Sequence, residues 1–296
     1  MATNTHISWA DTTWPITVGC DKASAGCASC YAMKDARRME SNPNPKIHTV
    51  YSNLVVKTGG GSLDWTGTIK TLPERLDYPR TWSGHRLVFV CSQSDLFHPD
   101  VPADFIARAF DTMHQYNQHR YLILTKRPER VLELMHTDKA ANLKDVNRKH
   151  FPHIRFGVSA EDQANADRRI PLLVQMDIDN FVSLEPLIGP IDLSTWICSE
   201  TPKVQWVITG GESGKYARPM HPKWVIHLRD QCAENNVLFH FKQWGEWVTE
   251  QPEKKVVTLQ KHNTTFYRVG RRRTGRLLEG TLYDARPAEA TNDETL

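Results

Sequence analysis

This chain of 296 residues lacks the features that mark membrane, secreted and strongly charged proteins. No apolar run approaches the roughly 20 residues that a membrane-spanning helix needs, so we expect no membrane partner. The N-terminus has no basic region followed by an apolar run, as a secretory signal would. The formal net charge is only +3, which excludes a strongly polybasic protein but allows a local basic patch. We therefore expect a cytoplasmic protein with a core of ordinary size.

The chain also has few cysteines, and their spacing does not predict a disulfide framework. Three of the six are scattered, at Cys91, Cys198 and Cys232. The other three lie in C-D-K-A-S-A-G-C-A-S-C-Y, residues 20–31, with the spacing C-x6-C-x2-C. Three thiolates on one short loop favour a metal centre that keeps one coordination position open. The candidate ligands are Cys20, Cys27 and Cys30.

Two kinds of metal centre are compatible with this loop. An iron–sulfur cluster held by three cysteines leaves one iron free to bind another molecule. A structural zinc site uses four ligands, so zinc would need a histidine such as His6 or His98 as the fourth. The zinc alternative predicts a stabilised, non-catalytic binding module on the same scaffold.

From residue 86 onward, short apolar runs alternate with helical patterns. Such alternation predicts parallel strands joined by right-handed crossovers. The predicted strands are 86–91, 121–125, 154–158, 180–184, 204–209 and 237–241, with a weaker first strand at His6–Trp9. The predicted helices are 31–39, 104–116, 128–136, 163–175 and 222–235. This pattern favours an α/β fold, built as a full or partial (β/α) TIM-type barrel.

The composition divides the chain into a barrel domain and an extension. The barrel domain is predicted to span residues 1–247, with an inserted irregular segment at about 41–85 that is rich in proline and glycine. Residues 248–296 form the predicted C-terminal extension. It contains the basic run Arg271–Arg273 and a polar end, residues 287–296, that we expect to be disordered.

Polar residues follow nearly every predicted strand, and the carboxyl ends of barrel strands are where such folds carry their functional residues. The residues at these ends are Cys91, Asp95, His98, Lys126, Arg127, Ser159, Glu161, Glu185, Gly210, Gly211, Glu212, Lys242, Gln243 and Trp244. Taken singly, an acid there is a helix cap or an ion-pair partner about as often as it is a functional residue. Paired glycines often form only a tight turn. A lone cysteine such as Cys91 is more often a buried small side chain. The convergence of six such loops with the cysteine loop favours a functional site.

The cysteine loop resembles the cluster loop of radical S-adenosylmethionine (SAM) enzymes, in which three cysteines after the first barrel strand hold a 4Fe–4S cluster. The chain is similar, more specifically, to the phage Gp37/Gp68-like (DUF5131) family. The stretches that carry this likeness are W-P-I-T-V-G-C-D-K-A-S-A-G-C-A-S-C-Y-A, S-Q-S-D-L-F-H-P-D-V-P, L-T-K-R-P-E-R, G-V-S-A-E-D-Q-A-N-A-D-R-R-I-P-L-L, S-L-E-P-L-I-G-P-I-D-L, G-G-E-S-G-K-Y-A-R-P-M-H-P-K-W and F-K-Q-W-G-E-W. The first cysteine gap is x6 here, whereas x3 is commonest in radical-SAM sequences. The Gly-Gly-Glu element, residues 210–212, also lies late in this chain, whereas in typical radical-SAM sequences it follows an early strand.

The resemblance implies a radical-SAM enzyme that cleaves SAM to a 5′-deoxyadenosyl radical, with an electron donor such as flavodoxin or ferredoxin. The cluster ligands would be Cys20, Cys27 and Cys30, and the implied cofactor-binding residues are Tyr31, Ser159, Glu161, Glu185, Gly210, Gly211 and Glu212. The implied catalytic residues are Cys91 (as a hydrogen-atom donor), Asp95 and Lys126. The implied substrate-binding residues are His98, Arg127, Lys242, Gln243 and Trp244.

The resemblance also suggests a class of substrate. A phage setting and a likeness to spore photoproduct lyase imply that the substrate is a nucleic-acid base or nucleotide, which the enzyme would modify or repair. A phage setting would also place the protein in the host cytoplasm. The run Arg271–Arg273 and the loop 41–61 are candidates to contact a nucleic-acid backbone. A flipped base needs an aromatic pocket, for which Phe97, Trp244 and Trp247 are candidates.

Overall fold

A parallel sheet of seven strands forms the centre of the structure, a computed structural model that describes residues 5–287. The strands are β1 (Thr12–Trp14), β2 (Leu87–Val90), β3 (Arg120–Thr125), β4 (Ile154–Ser159), β5 (Asp179–Leu184), β6 (Trp206–Gly210) and β7 (Leu238–Gln243). They lie side by side in the order of the chain, and each pairs in parallel with the next. The sheet curls into a half-barrel and, within the described residues, β1 does not pair with β7. The predicted α/β fold is confirmed, and it is the partial barrel.

Helices on the outer face of the sheet complete the main core. The α-helices are α1 (Tyr31–Glu40), α2 (Pro45–Tyr51), α3 (Ala103–Gln115), α4 (Pro128–Met135), α5 (Gln163–Leu173), α6 (Ser194–Ile197), α7 (Pro222–Glu234) and α8 (Arg271–Thr274). Short 3-10 helices lie at Ala25–Cys27, Pro73–Arg75, Tyr78–Thr81 and Asp138–Asp145. Phe110 of α3 and Ile170 of α5 are fully buried against outward-facing strand residues such as Ile123 and Val158. In residues 5–287 no helix is both long enough and apolar enough to cross a bilayer.

Aromatic side chains fill part of the inner face of the half-barrel. Trp9 packs against Phe89 with ring centroids 4.4 Å apart, and Phe181 packs against Trp206 at 5.5 Å. Gly157 makes room for Phe181, because a Cβ at Gly157 would lie 2.4 Å from the Phe181 ring. The predicted first strand at His6–Trp9 is wrong. That segment turns so that Trp9 enters the half-barrel, and the first strand begins at Thr12.

The segment 41–85, predicted to be irregular, instead contains regular elements and a small core of its own. Besides α2 it holds an antiparallel pair, Val55–Lys57 with Leu63–Trp65, and a second pair in which Lys70–Thr71 joins Thr17–Val18. Its buried residues, with those of α1 and the cysteine loop, form one cluster: Val18, Ala32, Met33, Ala36, Tyr51, Leu54, Val55, Trp65 and Leu72. Cys20 and Cys30 pack against this cluster. The segment therefore supports the cysteine loop.

The C-terminal extension contains regular elements and closes the free edge of β7. Its strands are Trp247–Val248, Thr258–Lys261 and Thr264–Arg268, which form one antiparallel sheet, and the hairpin Leu277–Leu278 with Thr281–Leu282. The Phe241 N–H of β7 donates to Tyr283 O at 2.8 Å, and Arg286 pairs with Asp11 at 3.1 Å. These contacts join the extension to the barrel. Most of the predicted disordered end, residues 288–296, lies outside the described residues.

Protonation of buried His240 in β7 is expected to make the fold sensitive to mild acid. Burial, reinforced by the nearby Arg276, lowers the pKa of His240 to about 4. The unfolded chain binds this proton near pH 6.5 and the folded chain does not, so stability falls as pH drops from about 6.5 towards 4. We expect His240 to contribute a loss of about 2 kcal/mol at pH 5. Urea unfolding at pH 7 and pH 5 measures it. His240→Gln should remove about half of the pH dependence, because burial also lowers the pKa of His153 to about 4. His85→Gln, at an exposed site, should leave it unchanged.

Candidate functional site

A cavity of about 220 Å³ opens at the carboxyl edge of the half-barrel. The three clustered cysteines line it together with side chains from the strand ends. The predicted site residues that line it are Cys20, Cys27, Cys30, Tyr31, Cys91, Asp95, Lys126, Arg127, Ser159, Glu185, Gly211, Glu212, Lys242 and Gln243. Four others lie outside it, at His98, Glu161, Gly210 and Trp244. The structure thus brings most of the predicted set to one place.

The cysteine loop is held from below by Glu161, just after β4. The Gly26 N–H donates to Glu161 Oε1 at 3.0 Å, and Lys126 Nζ donates to Oε2 at 3.0 Å. A side chain at Gly26 would collide with this carboxylate, since its Cβ would lie 3.0 Å from Glu161 Cδ. Burial alone would raise the pKa of Glu161, but Lys126 and the hydrogen bonds from the loop outweigh it and lower the pKa to about 2. Glu161 is therefore an ionised anchor for the loop.

A buried arginine, Arg169 of α5, completes this anchor. Arg169 is fully buried; its Nη1 donates to Glu161 Oε2 at 3.2 Å and to Ser159 O at 2.7 Å. One carboxylate thus faces two cations, which leaves a net positive charge behind the cysteine loop. Sequence reasoning missed Arg169. The available signal was a charged residue on the same helical face as the buried Ala166 and Ile170.

A second anchor runs from Asp95 through Arg127 to the start of the cysteine loop. Asp95 is buried; it accepts from Thr125 Oγ1 at 2.8 Å and from Arg127 Nη1 at 2.9 Å. The other end of the Arg127 guanidinium donates to Asp21, which is adjacent to Cys20. His98 Nε2 lies 3.3 Å from Asp21 Oδ1, on the outer side of this anchor. Asp95 and Arg127 thus position the first cysteine.

A third anchor comes from the loop after β6. Arg218 forms a paired contact with Glu212, with Nη2 2.6 Å from Oε1 and Nε 2.8 Å from Oε2. Arg218 Nη2 also donates to Ala25 O at 2.9 Å. Glu212 therefore reaches the cysteine loop through Arg218, a residue that sequence reasoning did not single out. The ends of β3, β4 and β6 all hold the same short loop.

The Gly210-Gly211 pair is explained by close backbone packing. A Cβ at Gly211 would lie 1.9 Å from Trp244 O, and Gly211 O accepts from Gln243 Nε2 at 2.9 Å. The Gly210 carbonyl accepts from the Leu187 N–H at 2.9 Å, and a Cβ at Gly210 would lie 3.3 Å from Gln243 O. These glycines allow β6 and the loop after β7 to approach each other.

Replacing Gly211 with alanine is therefore expected to destabilise the fold by about 3 kcal/mol, because the backbone at Trp244 must move to relieve the clash. Thermal unfolding measures the effect. Gly60→Ala is the matched control, since nothing lies within 4 Å of a Cβ there. An unchanged melting temperature in Gly211→Ala, with altered ligand binding, would contradict the packing role.

The six cysteines are all free thiols. Burial, then the neighbouring Asp95 carboxylate, raises the pKa of Cys20 to about 12, and burial also raises the pKa of Cys30. Cations oppose this rise, Arg127 at Cys20 and Lys126 at Cys30. In the described part of the chain, no group of three or more His, Cys, Asp or Glu side chains is arranged to hold a metal ion.

Cys91 lies at the end of β2 with unusual backbone geometry. Its φ is +56°, in the left-handed region that a residue other than glycine seldom adopts. Its Sγ accepts from Thr17 Oγ1 at 3.2 Å, and Thr17 Oγ1 is also 2.6 Å from Ser94 Oγ. Burial raises the pKa of the Cys91 thiol. The strained backbone presents a neutral thiol to the cavity, which is the kind of strain found at functional sites.

The remaining polar groups of the cavity wall come from β5, β7 and α1. Glu185 and Lys242 form an ion pair at 2.7 Å, and both side chains stay partly accessible. Tyr31 OH donates to Ser92 O. Gln243 is committed to the protein through bonds to Gly211 O, Ser213 Oγ and Gly245 N–H. The Glu185–Lys242 pair is thus a charged pair of this wall that a bound molecule can reach.

The cavity has an apolar side on which Trp9, Trp65 and Phe89 lie. The residues predicted to form an aromatic pocket, Phe97, Trp244 and Trp247, do not line this cavity. Phe97 is fully buried in the outer core, Trp247 packs with Phe266 and Ala217, and Trp244 lies outside the cavity with its Nε1 bonded to Leu277 O. Sequence reasoning missed the true residues because Trp9 precedes the first strand and Trp65 belongs to the inserted segment.

Fold and site together define an α/β half-barrel protein with a three-cysteine loop over a cavity at the carboxyl edge of its strands. A family model described as "Protein of unknown function (DUF5131)" matches residues 4–287, so the chain belongs to that family. This confirms the family suggested by the sequence motifs. Comparison with curated proteins and comparison with solved structures each gave no match.

Proposed function

We propose that this protein is a radical-SAM enzyme, with a 4Fe–4S cluster held by Cys20, Cys27 and Cys30, that acts on a nucleic-acid base or nucleotide. The observation that carries the proposal is the convergence of three free thiols from one loop on a single cavity. Three cysteine ligands leave one iron open, and the cavity in front of the thiols provides room for a molecule bound there.

The donor set and its surroundings fit an anionic iron–sulfur cluster. Arg127 lies near Cys20, Lys126 near Cys30 and Arg169 near Cys27. Cations favour the thiolate form, which is the form that binds metal. A structural zinc site needs a fourth ligand, and neither of the predicted candidates, His6 and His98, lines the cavity. Three cysteines suffice for a cluster with one open iron, so the donor set suits a cluster better than zinc.

When bound, the reduced cluster supplies an electron that cleaves SAM to methionine and a 5′-deoxyadenosyl radical. The protein holds and orients the reactants. Glu185 would accept hydrogen bonds from the ribose hydroxyls or the amino group of SAM, and Lys242 would contact its carboxylate or a substrate phosphate. Cys91 holds a hydrogen atom on Sγ at the cavity wall. The apolar side formed by Trp9 and Phe89 keeps water away from the reacting atoms.

The direct test of this function is SAM cleavage. Anaerobically purified protein with dithionite and SAM is expected to form 5′-deoxyadenosine and methionine, measured by liquid chromatography and mass spectrometry. Protein that contains a full iron–sulfur cluster but forms no 5′-deoxyadenosine would contradict the enzyme proposal while leaving the metal assignment intact.

A further inference from the structure

The basic helix α8 lies at the mouth of the cavity. The Gly270 N–H donates to Glu246 O at 3.1 Å, and Thr274 Oγ1 donates to Gly245 O at 2.9 Å. Both contacts attach α8 to the loop that follows β7. Arg271, the first residue of α8, lines the cavity. The arginine run is thus fixed beside the candidate site.

The charge of this run is not neutralised by the protein. In residues 5–287, the guanidinium groups of Arg271, Arg272 and Arg273 form neither hydrogen bonds nor ion pairs. The acids nearest the cavity already have cationic partners: Glu185 pairs with Lys242, and Glu212 pairs with Arg218. The mouth therefore carries surplus positive charge, although the whole chain has a formal charge of only +3.

A fourth cation reaches the same mouth from α1. Lys34 is exposed and lies one helical turn beyond Tyr31, which lines the cavity. Its Nζ lies beside Gly214, since a Cβ at Gly214 would be 2.4 Å from it. The Gly214 N–H donates to Glu246 Oε1 at 2.8 Å. The backbone carbonyl of the same glutamate accepts from the Gly270 N–H, directly before α8. We call these four cations, Lys34 and Arg271–Arg273, the basic rim.

We infer that the basic rim binds the phosphodiester backbone of a single-stranded nucleic acid and that the cavity receives one of its bases. Successive helical residues point about 100° apart, so the three arginines cannot all converge on one phosphate. Arg271 lines the cavity, whereas Arg272 and Arg273 are exposed outside it. A mononucleotide in the cavity would leave those two unused, whereas a strand that crosses the mouth contacts all of them.

The interior of the cavity suits a base. Trp9, Phe89 and Trp65 offer aromatic surface, on which any base can stack. Trp9 is buried, and its Nε1 has no hydrogen-bond acceptor among the described residues. A base carries ring nitrogens and carbonyl oxygens that can accept such a bond. A base inside a duplex cannot reach a cavity below a rim, so the strand must be single or locally opened.

Fluorescence anisotropy with a labelled single strand of about 12 nucleotides tests this inference on the intact, anaerobically purified protein. The logarithm of the association constant is expected to fall against log salt with a slope of about −3, since each of the four cation–phosphate contacts of the basic rim adds about 0.7. The variant R271Q/R272Q/R273Q, which keeps Lys34, should retain a slope of only about −0.7 and bind at least about tenfold more weakly. R80Q/R108Q/K149Q, which removes three exposed cations away from the cavity, should bind like the wild type.

A DNA and an RNA strand of one sequence show which backbone is preferred, and binding of either supports the inference. It is overturned by absent strand binding or by equal binding of the two triple variants. It is also overturned if deoxyadenosine monophosphate displaces the labelled strand as well as unlabelled strand does. The inference rests on the proposed function only for the reaction at the base. Strand binding without SAM cleavage would overturn the proposed function alone, and SAM cleavage without strand binding would overturn this inference alone.

Discussion

Replacing Cys27 with alanine is expected to reduce bound iron from about four atoms per chain to less than about one, and to abolish 5′-deoxyadenosine formation. Cys27 is the buried member of the triplet and lies between the Glu161 anchor at Gly26 and the start of α1. Two remaining thiols cannot retain a cluster that depends on three. Iron and acid-labile sulfide analysis of anaerobically purified protein measures the loss.

Two cysteines outside the triplet serve as controls. Cys198 is exposed, and Cys198→Ala should keep both iron and activity. Cys91 lines the cavity without being a proposed ligand, so Cys91→Ala should keep iron and SAM cleavage while turnover of the substrate is lost. If Cys27→Ala retains the wild-type iron content, or if Cys91→Ala loses it, the ligand assignment is wrong.

Glu161→Gln is expected to lower the free energy of unfolding by about 3 kcal/mol, because it leaves two cations beside each other without their shared carboxylate. Glu161 and Arg169 are both fully buried, and Lys126 lies 3.0 Å from the carboxylate. The amide cannot neutralise either charge. The variant should also retain less iron, since the Gly26 contact that holds the cysteine loop is weakened. Urea unfolding and iron analysis measure the two effects.

A second substitution tests whether uncompensated charge is the cause. The double variant Glu161→Gln with Arg169→Met removes one buried cation together with the carboxylate charge. It is expected to be more stable than Glu161→Gln alone, because replacing a buried pair costs less than breaking it. Glu133→Gln, at an exposed ion pair with Lys139, should leave unfolding unchanged. Simple additivity of the two buried substitutions would count against the charge cluster.

The strands of the half-barrel were predictable where they are continuously apolar and paired on both sides. Leu87–Val90 and Arg120–Thr125 are of this kind, and their bounds differ from the prediction by only a residue or so. The first strand, Thr12–Trp14, is short, begins with two threonines and pairs only with β2 in the described sheet. Its identity depends on that pairing. For the same reason, the two- and three-residue strands of segment 41–85 carry no strong local signal.

The site was predictable as far as its chemistry follows strand order. The cysteine loop, Lys126 and Glu185 were expected at one edge because parallel strands end there, and they do line one cavity. The contacts that decide which of these residues anchor the cysteine loop depend on long-range packing. Arg169 and Arg218 lie only eight and six residues beyond Glu161 and Glu212. The contacts that tie these pairs to the cysteine loop, Gly26 with Glu161 and Arg218 with Ala25, join residues 135 and 193 positions apart. No local pattern distinguishes an acid that anchors a loop from one that is free to bind a cofactor.

The metal content of anaerobically purified wild-type protein is the measurement that tests the central claim most directly. A 4Fe–4S cluster on Cys20, Cys27 and Cys30 predicts a brown protein with about four iron and four sulfide per chain and broad absorption near about 400 nm. A colourless protein with about one zinc per chain and no sulfide would contradict the account, and would favour a zinc-stabilised binding module on the same half-barrel.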